Sequence, residues 1–398
     1  MTSRCLTFCP IVVAFAAGVT LGAVASKSST KWLRSFNKLD QARERLYRIV
    51  GEGFTGALIL TGDKLGLYEI LYQTGPTTAE SLARRTGWSE RWLLEWMSQM
   101  SAVGICSYSP TTNEFHLKSE YASLLRDPMK SNDSVVGLFT VTNTLQSRSS
   151  QTAEAIMTGI GVDYDHGEDV IVGMDRQNWN YFQNQFIDET IVPAKIPSTG
   201  RPLTELLECG IAVADVGCGC GASTVAMARR FPESRFYAYE LSRNSLATLE
   251  ARIVSMKLNN IIVCDASKRS IGDGPDVCDG EHFGFVYAHD VLHDMTHPRD
   301  LIKGVKKRLS PDGCWIVVDI ICGDSTAENL RMSTATTSLG FSCLLCLSSS
   351  TSSKDGEGLG TMGFGKNLAN QWMKDAGFTY CITFLLPSLP ENQGFLIA

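Results

Sequence analysis

Residues 211–223 read Ile211-Ala-Val-Ala-Asp215-Val-Gly217-Cys-Gly219-Cys-Gly221-Ala-Ser223, and this stretch decides the fold. Ile211 to Val216 is an apolar run of strand length that carries one carboxylate near its end. The alternating glycines let the backbone turn sharply and approach a ligand closely, and the spacing predicts a helix from Ser223 to Arg230. A strand, a glycine-rich turn and a helix make the first unit of a doubly wound sheet, in which ligands bind at the carboxyl ends of the strands. Glycines alone do not choose the ligand, because Gly217-x-Gly219-x-x-Ala222 also fits a loose dinucleotide pattern. Two acids do. Glu240 ends the next apolar run, where a carboxylate can accept both hydroxyls of a ribose. Asp215 stands where a pyrophosphate would prefer an apolar neighbour, and it suits a ligand that carries an ammonium group.

The alternation continues outward from this turn. Strands are expected at Arg235–Glu240, Ile261–Asp265, Phe283–Ala288 and Gly313–Asp319, with helices at Ser242–Lys257 and Leu301–Leu309. After a Ser-rich stretch from Ser348 to Ser353, a helix from Gly365 to Ala376 and a strand from Thr379 to Leu385 close the domain. The pattern predicts an α/β domain, a doubly wound, Rossmann-like parallel sheet over residues 201–398.

Upstream the texture is helical. Residues 39–72 read as amphipathic helix, with Leu46, Ile49, Phe54, Leu58 and Leu65 at loose heptad-like spacing and a turn at Gly75-Pro76. Thr77-x-x-Glu80 is a capping box, and Ser89 can cap a further helix whose stripe is Trp92, Leu93, Trp96, Met97 and Met100. Two short strands around Ser109-Pro110 and Asn113 follow. Helix, helix and hairpin predict a winged-helix domain over 39–125. Between Pro76 and Val103, three Arg balance three Glu, so packing or dimerisation is expected of this domain and not DNA binding. Residues 126–200 are irregular and polar, with aromatics at Trp179, Tyr181, Phe182 and Phe186, and are expected to form linker or lid helices.

The composition agrees with a globular protein that binds a small molecule. Of 398 residues, 44% are hydrophobic and 20% charged, which excludes a disordered chain. The net charge of −6 gives no field to gather phosphate backbones, so nucleic acid is not an expected partner. Thirteen scattered cysteines read as buried reduced thiols. The lone Cys343-x-x-Cys346 has no second pair at zinc-ribbon spacing, and no metal is expected.

Asp215-x-Gly217-x-Gly219-x-Gly221, then Glu240, then Asp265 after the third strand, resembles the class I S-adenosylmethionine-dependent methyltransferases. The resemblance implies that the glycine turn contacts the methionine and ribose of S-adenosylmethionine, that Glu240 holds the ribose and that Asp265 contacts the adenine amino group. With the winged helix in front, residues 39–398 are similar to the mycobacterial-type winged-helix members. Leu345-Cys-Leu347, Gly358-Leu-Gly-Thr361 and Asp375-Ala-Gly-Phe378 add to that likeness.

Chemistry is expected at His289-Asp-Val-Leu-His293-Asp294-Met-Thr-His297, since four of the six histidines fall between Glu281 and His297. Val-Leu-His293-Asp294 resembles the Leu-His-Asp segment of plant-type small-molecule O-methyltransferases, which implies His293 as general base. Histidine suits a base, with an ordinary pKa of about 6.5. Other readings stand beside it. His293 can be structural, His289 can take its place, or a helix stacking His289, His293 and His297 can hold a metal, against which Pro298 and the lack of a fourth ligand argue. The expected function is methyl transfer to the oxygen or nitrogen of a small-molecule acceptor. The alternatives are a regulatory protein that senses the cofactor on a degenerate methyltransferase fold, and an NAD-dependent oxidoreductase.

Residues 5–25 carry no charge and would span about 31 Å as a helix, enough for a bilayer core. Ala23-Val24-Ala25 fits a signal-peptidase site, which would send the mature chain into the secretory pathway. Lys27, Lys31, Arg34 and Lys38 follow, and the positive-inside bias favours a retained anchor with a cytosolic catalytic domain. Residues 1–38 are therefore expected to be anchor and linker, and a homodimer is expected in addition, with Gly18-x-x-x-Gly22 as a weak helix-dimer signal.

Overall fold

A computed structural model describes residues 27–163, 168–273 and 282–398. The chain divides into two units, one ending at Phe54 and one running from Thr55 to Ala398. Helix α1 (Lys27–Lys64) begins inside the stretch expected as a polar linker and breaks at Gly66, whose φ of 66° is left-handed, before α2 (Leu67–Thr74). The single helix expected over 39–72 is thus two.

The winged helix follows as α3 (Ala79–Thr86), α4 (Glu90–Ala102), the antiparallel pair β1 (Cys106–Ser109) and β2 (Glu114–Leu117), and α5 (Ser119–Leu125). The cap of α3 is Thr78, whose side chain accepts from the Ser81 amide, and not Thr77. Thr77 is otherwise engaged: its amide and carbonyl exchange hydrogen bonds with Phe115 of the wing. On α4, Leu93, Trp96, Met97 and Met100 are buried, whereas Trp92 is 78% exposed and falls outside the expected stripe. Trp96 donates its indole N–H to the Leu58 carbonyl, so this helix is spent on packing.

Helices α6 (Gly137–Gln146), α7 (Ser149–Thr158) and α8 (Glu168–Asn184), with a π turn at Ile187–Ile191, lead to α9 (Leu203–Cys209). The sheet domain then runs β3 (Ala212–Val216), α10 (Ala222–Arg230), β4 (Arg235–Glu240), α11 (Arg243–Met256), β5 (Ile261–Asp265), β6 (Phe283–His289), a 3-10 turn at Leu292–Asp294, α12 (Pro298–Arg308) and β7 (Leu309–Ile320). Short helices α13 (Thr326–Asn329), α14 (Ala335–Phe341) and α15 (Leu347–Ser350) follow, with a π turn at Ser342–Cys346 between the last two. Helix α16 (Lys366–Asp375), β8 (Cys381–Leu385) and β9 (Asn392–Ile397) end the chain.

The seven strands lie in the order β5-β4-β3-β6-β7-β9-β8. Strands β3 to β7 are parallel, but β9 pairs antiparallel with both β7 and β8, so the sheet is mixed and not wholly parallel. The cause is the hairpin of the last two strands, of which sequence reading found only the first. Each face carries its own core. Trp315, Val317, Phe364 and Phe395 are buried on one side, and Val213, Phe285, Ile316 and Val318 on the other. Every such side chain contributes about 1.5–3 kcal/mol relative to exposure, which is what keeps the strand ends in register for a site.

The membrane-anchored expectation is corrected. Among the described residues no helix is long and apolar enough to cross a membrane, and α1 carries Asp40, Arg43, Glu44, Arg45 and Arg48 in its middle. The predicted span at 5–25 and its cleavage site lie outside the described residues.

Candidate functional site

Strands β3 and β6 are neighbours in space, yet the chain adds β4 and β5 on one side of β3 before crossing to β6 on the other. Open α/β sheets bind ligands at such a reversal, at the carboxyl edge, and the residues expected in the site lie near or just after the carboxyl ends of these strands. Gly217, Gly219 and Gly221 all have positive φ, at 67°, 54° and 79°. They differ in surroundings. A Cβ on Gly217 would lie 2.4 Å from Val291 Cγ2, and one on Gly221 would lie 2.3 Å from Leu249 Cδ1. Around Gly219 nothing among the described residues comes within 4 Å of such a Cβ.

Glu240 shapes this turn directly. Its Oε2 accepts from the Gly219 amide at 2.8 Å, and its Oε1 accepts from the amides of Leu241 and Ser242 at 2.8 and 2.9 Å. Asp265 is the register partner of Glu240 on β5. Hydrogen bonding to Lys268 and Ser267 holds its carboxyl down at about 2. Asp215 is placed differently from the expected ammonium contact. It is buried, and its Oδ2 accepts from the hydroxyls of Ser223 and Thr224, both at 2.6 Å. Burial raises it to about 6. Asp215 therefore pins the start of α10 beneath the glycine turn.

The acceptor side begins where β6 ends. His289 is partly buried, its Nδ1 lies 2.8 Å from the Tyr287 hydroxyl, and Phe182 packs on its ring at 5.0 Å. Burial pushes it down to about 3, so it stays neutral. Asp290 follows with a φ of 52°, an unusual conformation for a non-glycine residue. Its amide donates to the Val318 carbonyl and its Oδ1 accepts from Asn392 of β9, both at 2.8 Å. This stitched corner turns the chain so that His293 points back at β7.

His293 is buried, and its Nδ1 lies 2.5 Å from Asp319 Oδ1. Its Nε2 is 3.8 Å from Asp294 Oδ1. Burial alone would lower His293, but the carboxylates of Asp319 and Asp294 overcome it and hold the imidazole well above its ordinary value. Burial likewise raises Asp294, and it raises Asp290 to about 7. The two histidines are thus driven apart, one neutral in an aromatic cage and one cationic between acids. Val291, two residues before His293, is the residue against which Gly217 packs, so the two halves of the site touch.

The helix that would stack His289, His293 and His297 does not form: the first ends a strand, the second is in the 3-10 turn and the third caps α12. Asp319, Asp290 and Asn392 were given no role from sequence, and Cys346 was read only as half of a Cys-x-x-Cys set aside as a metal pair. Asp319 had a signal, since it is the one carboxylate in the apolar run from Gly313 to Ile321, as Asp215 is in its own strand. Cys346 had none: Cys343 is exposed while Cys346 is buried against His293, so the Cys-x-x-Cys spacing does not describe a pair.

Comparison with known proteins agrees with this architecture. Residues 214–315 match a methyltransferase domain family, and residues 53–126 match the Rv2258c-like winged HTH domain. No curated protein matches the chain. Among solved structures, an O-methyltransferase family protein from Burkholderia thailandensis superposes with a TM-score of 0.64 at 13% identity, over 89% of this chain and 96% of that one. The mitomycin 7-O-methyltransferase MmcR gives 0.64 at 16% identity, over 91% and 99%. Human N-acetylserotonin methyltransferase, solved with S-adenosylmethionine, gives 0.61 at 13% identity, over 90% and 97%. The chain carries a winged-helix domain and a methyltransferase domain, and its fold is that of the O-methyltransferases; the expected methyltransferase is borne out at that level.

Proposed function

We propose that the chain is an S-adenosylmethionine-dependent methyltransferase acting on a hydroxyl of a small molecule, with His293 as general base. The observation that carries this reading is the His293–Asp319 pair, with His293 two residues beyond the Val291 that packs on Gly217, and with Glu240 and Asp265 ending the neighbouring strands. Two features support the cofactor: the open side of Gly219, and two adjacent strand-end acids of which Asp265 is firmly ionised. Gly217, Gly219 and Gly221 would hold the amino-acid and ribose portions, Glu240 the ribose hydroxyls and Asp265 the adenine amino group. Asp215 would act from behind, by fixing the turn. When bound, S-adenosylmethionine supplies a methyl group on a sulfonium, a good leaving group. The protein's task is to place the acceptor oxygen in line and to take its proton. Asp319 would fix the imidazole so that Nδ1 keeps its proton, which leaves Nε2, beside Asp294, to take the proton of the acceptor. The solved relatives named for O-methylation favour oxygen over nitrogen as the methylated atom.

The same reading assigns residues 39–125 to the winged helix, 126–200 to lid helices and 201–398 to the catalytic domain. It also includes a homodimer. Leu39, Leu46, Ile49, Val50 and Phe54 recur on one side of α1 and are all exposed, a face that a second copy would cover. The activity is tested with methyl-labelled S-adenosylmethionine and a panel of phenols and other hydroxylated small molecules. Label transferred by the wild type and lost in His293→Ala supports the reading. Transfer at the wild-type rate in the variant removes His293 from the mechanism.

A further inference from the structure

The surroundings of His293 hold more ligating atoms than proton transfer requires. Donor atoms of His293, Asp294 and Cys346 all lie within 4.8 Å of one another. They come from separate parts of the chain: a 3-10 turn after β6 and the last residue of the π turn Ser342–Cys346. Single π turns are rare and frequently occur at functional positions. Two buried oxygens here, Asp294 Oδ1 and Asp319 Oδ2, have no hydrogen-bond partner among the described residues. Unsatisfied carboxylate oxygens in a protein interior are costly, and a cation satisfies them.

We propose that His293 Nε2, Cys346 Sγ and Asp294 Oδ1 form a binding site for a divalent transition metal of the zinc type, with Asp319 holding the imidazole from behind. Imidazole, thiolate and carboxylate together suit zinc or cobalt and disfavour magnesium or calcium, which take oxygen ligands alone. Ligand distances of about 2.0–2.3 Å place the donors of a tetrahedral site about 3.3–3.8 Å apart, so the three atoms need to close by at most about 1–1.5 Å. Three protein ligands leave the fourth position open. The Asp319–His293 contact at 2.5 Å is the outer carboxylate that metal-bound histidines commonly carry on their second nitrogen. As the nitrogen–metal and sulfur–metal bonds form, the Nε2 proton of His293 and the thiol proton of Cys346 are released to solvent, with no change of oxidation state. An ion here takes the nitrogen that methyl transfer uses as base, so loading and catalysis exclude each other. That last consequence rests on the proposed function; the site itself does not.

The test uses the full chain, chelator-stripped and kept reduced, titrated with Co²⁺ and then with Zn²⁺. The site predicts one ion per chain, with a thiolate-to-cobalt charge-transfer band and tetrahedral d–d absorption that Zn²⁺ abolishes. Cys346→Ser loses the charge-transfer band, and His293→Gln and Asp319→Asn weaken binding about 10–100-fold, while Cys343→Ser is unchanged. Near-ultraviolet circular dichroism of each variant checks that it is folded. A wild type without the band overturns the site, as does a band that survives Cys346→Ser or disappears in Cys343→Ser. Each of these failures leaves the methyltransferase reading intact, because that reading is tested by label transfer without metal.

Discussion

His293 Nδ1 and Asp319 Oδ1 stand 2.5 Å apart in the interior, one from the turn after β6 and the other from the end of β7. The contact joins the ring proposed as general base to a buried carboxylate at the end of β7. His293→Ala is expected to lower the rate of methyl transfer by about 10²–10⁴. The affinity for S-adenosylmethionine should stay within a few-fold, because Glu240, Asp265 and the glycine turn are untouched. Single-turnover rates and a binding titration on the same variant check both halves.

The pH dependence follows from the direction of the His293 shift. A base held well above its ordinary value is protonated near neutrality and must lose that proton to act. The value of kcat/KM should therefore climb with pH past 6.5 and level off only above the folded pKa of His293. Asp319→Asn removes the main stabiliser of the imidazolium, so the climbing limb moves to lower pH. A limb that stays in place in Asp319→Asn would show that another group controls it.

Stability should also respond to pH, in the opposite sense. Burial raises Asp290 to about 7, so the folded chain keeps a proton that the unfolded chain has lost above its ordinary carboxylate value. His293 and Asp294 are raised too. The Asp290 contribution to stability therefore falls as pH rises from about 4 to 7, at up to about 1.4 kcal/mol per pH unit, while neutral His289 acts in the opposite sense below about 6.5 and His293 adds to the fall only above about 6.5. Asp290→Asn keeps the shape of the side chain and should flatten that slope. Unfolding by denaturant at four pH values measures it.

The glycines separate structure from binding. Gly219→Ala meets open space, so its cost to the fold is the left-handed conformation alone, about 1–2 kcal/mol, whereas a ligand at that surface loses its close approach. Gly221→Ala drives a methyl into Leu249 and should cost more stability. Thermal unfolding beside a cofactor titration tells the two apart. Equal loss of binding with equal loss of stability would remove Gly219 from the site.

Much of this was legible locally. The strand–glycine–helix run at 211–223, the acids ending the next two strands and the cluster from His289 to His297 are all patterns within a few residues, and the structure brings them to one edge of one sheet. The acceptor side was legible only in part, because its partners are distant in sequence. Asp319 reaches His293 across 26 positions, and Cys346 and Asn392 arrive from later elements. Strand β9 went unread because it opens with Asn392, Gln393 and Gly394, yet it is buried throughout. The cap of α3 moved by one residue because a backbone bridge to Phe115 had already taken Thr77, which no local pattern shows.

The central claim is the cofactor, and binding tests it most directly. The purified chain is titrated by calorimetry with S-adenosylmethionine, S-adenosylhomocysteine and NAD, beside Glu240→Gln and Asp265→Asn. The account predicts that the first two bind, that NAD does not, and that each variant weakens binding at least about tenfold while remaining folded. Binding of NAD alone, or of none of the three to a folded wild type, would contradict it.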